Sequence, residues 1–129
     1  MSETTSMNPP RNSLLPVIEH VLAVYKTWHA YKDHFPQKSK YTLGDTIDAR
    51  FVLVLELLFT ASYQPPVQKI PTLTRVLTGI DMIKFLLRIA WEVQALDTKK
   101  YAELSEQLHD AGRMVGGWKK GMESKHPTS

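Results

Sequence analysis

The sequence predicts an all-α protein, an antiparallel up-down four-helix bundle whose spare apolar surface makes it a homo-oligomer. Three observations predict this. The eight prolines lie outside the long periodic stretches or at their edges. Within those stretches apolar residues return every three to four positions, the spacing of one helix face. No segment alternates with period two over a useful length, so no strand competes.

The first helix is expected over residues 16–34. Pro16 suits a first turn, where its missing N–H is not needed, and Val17, Val21, Val24, Trp28 and Tyr31 form one apolar face. The second is expected over 43–63. Thr42-Leu43-Gly44-Asp45 has the form of a capping box, and Pro65-Pro66 ends the helix because a residue before proline leaves the helical region. The third, 71–95, opens at Pro71 and places Leu73, Val76, Ile80, Ile83, Leu87 and Ala90 on one side. The fourth, 98–120, opens at Asp97 or Thr98 and carries the cleanest periodicity: Tyr101, Leu104, Leu108, Ala111, Val115, Trp118 and Met122. Residues 13–122 then form one bundle, with mobile tails expected at 1–12 and 123–129.

Composition fits one soluble domain. Of 129 residues 43% are hydrophobic and 22% charged, enough for a core and a wet surface. The absence of cysteine excludes a disulfide scaffold, a thiolate zinc site and a cysteine nucleophile. No apolar run approaches a membrane span, and Met1 to Asn12 has no apolar core of the signal-peptide kind. A cytoplasmic location with no membrane partner is expected.

Two helices carry more apolar surface than one core can use. A bundle helix needs roughly three apolar positions in seven. Between Phe51 and Phe59 Glu56 alone is polar, and helix three adds a second set: Met82, Phe85, Leu86, Ile89, Val93 and Leu96. The surplus implies a subunit interface, with Phe51, Leu55, Phe59, Phe85 and Ile89 expected in it.

Motifs for catalysis are absent: no phosphate-binding glycine loop and no nucleophile elbow. His20, His29 and His34 are not spaced for one helix face, so no metal site is expected. Asp48, Glu56, Asp81 and Glu92 could mimic a di-iron bundle, but the Glu-x-x-His pairs of that class are missing. Glu56 has two readings: an ion pair with Arg88, or with Arg50 of another subunit, and a buried general acid. Gly116 and Gly117 cost about 1 kcal/mol each inside a helix, which implies close backbone approach or helix termination beside Trp118. No catalytic residue and no cofactor is expected.

The basic residues carry the functional reading. Lys84 and Arg88 share a face of helix three; Lys38 and Lys40 precede helix two; Arg113, Lys119 and Lys120 lie on helix four. A net charge of +3 on one chain is weak for nucleic acid, but an oligomer repeats the stripe, and phosphate affinity grows with the number of contacts. The other reading of the same residues is an ordinary solvated face on a purely structural interaction module.

Three segments carry a resemblance. Phe35-Pro36-Gln37-Lys38-Ser39-Lys40-Tyr41-Thr42-Leu43-Gly44-Asp45 resembles the helix one–two junction of the Avd-like four-helix-bundle proteins, the accessory variability determinants of diversity-generating retroelements in bacteria and phages. Ala111 to Trp118 is similar to that family's Gly-Arg-x-Leu-Gly-x-Trp signature, and Met82 to Arg88 to its third-helix pattern. The resemblance implies a non-enzymatic, pentameric barrel. It implies binding to the retroelement reverse transcriptase and to template-repeat RNA or DNA, in support of mutagenic retrohoming.

Overall fold

The computed structural model describes residues 14–125. They form four long helices: α1 (Leu15–Lys32), α2 (Asp45–Tyr63), α3 (Pro66–Glu92) and α4 (Thr98–Lys125). A short turn, Gln37–Ser39, and a π-helical stretch, Lys40–Gly44, lead directly into α2. Each helix packs on the next in sequence and α4 returns to α1, so the four close an antiparallel bundle. Among the described residues there is no strand, and no helix is long and apolar enough to cross a membrane. The expected tail 1–12 lies outside the described residues. In the expected tail 123–129, residues 123–125 are the last turn of α4.

The faces read from periodicity are the faces that are buried. Val17, Val21, Val24 and Trp28 of α1 meet Leu73, Val76, Ile80, Ile83, Leu87 and Ala90 of α3 in one core with Leu104, Leu108, Ala111 and Val115 of α4. Trp28 anchors the end nearest the α1–α2 junction. Phe35 packs edge-on against it at 5.3 Å and Phe51 stacks at 6.1 Å. Its indole N–H donates to Asp48 Oδ1 at 3.2 Å, which satisfies a donor that burial would otherwise strand.

Several helix boundaries differ from expectation. α1 ends at Lys32 rather than residue 34, because Phe35 must leave the helix before Pro36 and turns into the core. Thr42 is no N-cap: it lies inside the π-helical stretch and its hydroxyl donates back to Lys38 O at 3.3 Å. Asp45 is taken instead by Lys32 Nζ at 2.6 Å. The lysine stem passes over Gly44, where a Cβ would sit 3.2 Å from Lys32 Cε. α3 begins at Pro66, a full turn before Pro71. Gln64 and Pro65 are extended, Pro66 takes the first helical position, and Pro71 forfeits one bond, that to the carbonyl of exposed Val67.

α3 also stops earlier, at Glu92. Gln94 adopts φ 64°, the Gln94 N–H donates to Trp91 O at 3.0 Å, and the Ala95 N–H donates to Ala90 O at 2.8 Å. That is a Schellman motif with glutamine in the place usually held by glycine. Leu96, expected on the outer face, folds back into the core. Asp97 then caps α4, its carboxylate accepting the Lys100 N–H at 2.8 Å.

Candidate nucleic-acid and subunit surfaces

The antiparallel topology places the α1–α2 and α3–α4 connections at one end of the bundle. The α2–α3 connection and the C-terminus of α4 are at the other. The last helix alone, α4, has 28 residues and so spans about 42 Å. The seven basic residues expected at a nucleic-acid surface therefore do not converge. Lys38 and Lys40 sit at the first end, Lys119 and Lys120 near the second, with Lys84, Arg88 and Arg113 along the flanks.

Most of their charge is already answered on the same helix. Lys84 lies 3.9 Å from Asp81, Arg88 3.4 Å from Glu92, Arg113 2.7 Å from Asp110 and Lys119 2.9 Å from Glu123. Lys40 reaches Asp33 at 4.0 Å and covers the Tyr41 ring. Lys84 and Arg88 do share a face, but with Asp81 and Glu92 one turn to either side the stripe carries no net charge. Lys38 and Lys120 are exposed and have no ion-pair partner among the described residues. The spacings i,i+3 and i,i+4 that make these pairs were present in the sequence.

The end that holds the α4 C-terminus is richer in cations than the sequence reading made it. Lys69, from the start of α3, lies over the Trp118 ring at 5.7 Å. An open groove beside it is lined by Gly117, Trp118, Gly121, Met122 and Lys125. Gly116 and Gly117 neither end the helix nor admit a neighbouring backbone, since a Cβ on either meets nothing within 4 Å. Gly117, with Gly121 one turn on, lines that groove, and Gly116 does not. The glycine that does permit close approach is Gly79, where a Cβ would lie 2.7 Å from Val54 Cγ2.

The residues expected at a subunit interface divide. Phe59 and Phe85 stand out from the surface, 61% and 59% exposed. Leu55 and Ile89 are half-buried at the edges of the same faces. Phe51 is corrected: it is wholly buried against Trp28 and Tyr25 inside its own chain and cannot contact another. Glu56 is exposed and has no ion-pair partner among the described residues, Arg88 being held by Glu92. A general acid in a buried pocket is thereby overturned for Glu56, which points to water.

Perturbed groups cluster around the first junction and do structural work. The Asp45 carboxylate holds the Lys32 ammonium above its ordinary pKa. Burial, with Asp48 beside it, raises the Tyr25 phenol. Tyr31 donates to Glu103, which raises the Tyr31 phenol too. The half-buried His20 ring lies 3.0 Å from the Gln107 carbonyl, and among the described residues no three potential metal ligands come together.

The junction from Phe35 to Asp45 is thus a built corner: Phe35 seals Trp28, and Gly44 lets Lys32 clasp Asp45. The Ala111–Trp118 segment supplies two core residues, Ala111 and Val115, and one half-buried aromatic, Trp118, packed against the core. Both segments fall within the part of the chain, residues 16–122, that matches the model of the bAvd-like family. The chain belongs to the bAvd-like family. No curated protein and no solved structure matches it significantly. Family membership covers the whole bundle, from the second residue of α1 to the last buried residue of α4, Met122.

Proposed function

We propose that this chain is a non-enzymatic accessory protein of a diversity-generating retroelement. It assembles as a homopentamer and binds the reverse transcriptase and template RNA or DNA in support of mutagenic retrohoming. The observation that carries this reading is membership of the bAvd-like family across residues 16–122. The surface adds support. Exposed apolar faces on α2 and α3 suit self-association. Lys38 and Lys120, without ion-pair partners among the described residues, are phosphate contacts that need no existing pair to break. Phosphate contact by such residues releases counterions, so affinity falls steeply with salt and depends little on base sequence.

A second reading is favoured by the pairing of Lys84, Arg88, Arg113 and Lys119 with neighbouring carboxylates. On that reading the protein is an oligomeric interaction module that ignores nucleic acid. A salt series of RNA affinity separates the two. The accessory-protein reading expects binding at low salt that Lys38→Glu with Lys120→Glu weakens strongly, and that Lys84→Glu with Arg88→Glu weakens less. No binding by wild type at low salt selects the structural module. Co-purification with a reverse transcriptase encoded beside it tests the polymerase contact separately.

A further inference from the structure

The exposed apolar side chains are gathered on two helices. Val52 and Phe59 stand on the outer face of α2, and Met82 and Phe85 on that of α3. By contrast, the large apolar side chains exposed on α1 and α4 come down to Leu15 among the described residues. Each outer face also carries an exposed charge with no ion-pair partner among the described residues: Glu56 on α2 and Arg75 on α3.

Their heights along the bundle agree. Val54 and Gly79 touch, which fixes the level of α2 against α3. Glu56 lies two residues further along α2 and Arg75 four residues back along α3, both toward the α2–α3 connection. At about 1.5 Å per residue they are level to within about 3 Å. Arg50, the cation of α2 itself, is about 9 Å from the level of Glu56 on the same helix. By the same count Val52 is level with Met82, and Ala49 with Phe85, a small residue opposite a large one.

We infer that the outer face of α2 packs against the outer face of α3 in a second copy of this chain, with the bundle axes parallel. Equal heights then meet. Glu56 faces Arg75 of the next copy, Val52 packs on Met82, and the space at Ala49 receives Phe85. The two faces differ, so the contact is head-to-tail, the kind whose repetition gives a ring when the rotation between copies closes. This rests on the proposed homo-oligomer and assigns its contact surface and polar register.

The test uses the full chain. Phe59→Asp and Phe85→Asp alter exposed positions, and circular dichroism confirms that each variant keeps its helices. Alone, each is expected to have the monomer mass of 14.7 kDa by light scattering. Mixed, they form a one-to-one complex of about twice that mass and nothing larger, because one variant retains an intact α2 face and the other an intact α3 face. Assembly by either variant alone, or a mixture that stays monomeric, overturns the inference. Glu56→Arg is expected to loosen the assembly of an otherwise wild-type chain, and adding Arg75→Glu to restore it. A Glu56→Arg chain that assembles as wild type overturns the register. A monomeric wild type overturns both the contact and the pentamer, while the RNA affinity of that same monomer decides the nucleic-acid reading on its own.

Discussion

A methyl group added at Gly79 would press into Val54, a fully buried side chain with no room to give, whereas one added at Gly117 meets open space. Both glycines lie inside helices, so alanine gains about 1 kcal/mol of propensity at either. At Gly79 the overpacking, about 1–3 kcal/mol, exceeds that gain. Gly79→Ala is expected to lower the melting temperature and Gly117→Ala to raise it; thermal denaturation of the two variants side by side decides. Gln94 is a third such position. Its φ of 64° is strained for any side chain with a Cβ, and Gln94→Gly is expected to stabilise by about 1 kcal/mol in denaturant unfolding. The doublet at 116–117 is conspicuous in the sequence because two glycines adjoin. Gly79 is inconspicuous there because its reason lies on another helix.

At the scale of elements, helix faces were legible and helix ends partly so. The core positions of α3 and α4 follow from spacing alone, because a helix with one buried side must repeat every 3.6 residues. The Asp97 cap was legible as well. The start of α2 was not, since Asp45, read as part of a capping box, is paired across Gly44 with a lysine of another helix. The early start of α3 was hidden because Pro71 reads as a boundary, and only the exposure of its lost hydrogen bond makes it tolerable inside a helix. The same clasp sets an alkaline limit. Lys32, Tyr25 and Tyr31 all have pKa values raised above their ordinary values near 10. Between pH 10 and those raised values the unfolded chain has lost protons that the folded chain still holds. Stability contributed by these groups is thus fully present below about pH 10 and is lost as pH rises through the folded values. Melting temperatures measured from pH 8 to 11.5 should be level at first and then fall. Asp45→Asn should shrink the part of that fall due to Lys32.

At the scale of the whole molecule, the sequence showed that apolar surface was in excess and misplaced one piece of it. Phe51 shares the four-and-three spacing of buried Ile47, Val54, Leu58 and Ala61, so its inward face follows from helical phase, which a bare count of apolar residues between Phe51 and Phe59 hides. The ion pairs along α3 and α4 were legible from i,i+3 and i,i+4 spacing, yet their effect, neutralising a stripe that looks basic when cations alone are counted, depends on weighing both signs together. What stays outward, Phe59 and Phe85 above all, has a thermodynamic consequence independent of any ligand. If copies associate through these faces, assembly binds the folded state and not the unfolded chain, so it stabilises by mass action. The melting temperature of the wild-type chain is then expected to rise with protein concentration, by a few degrees for each additional kcal/mol in a domain of this size. Phe59→Asp should remove that dependence and leave a concentration-independent transition. It should cost little else, because the side chain it replaces is mostly in water. Differential scanning calorimetry of both proteins over a hundredfold concentration range checks this. A wild-type transition that does not move with concentration would mean that the α2 and α3 faces are not covered by other copies in solution.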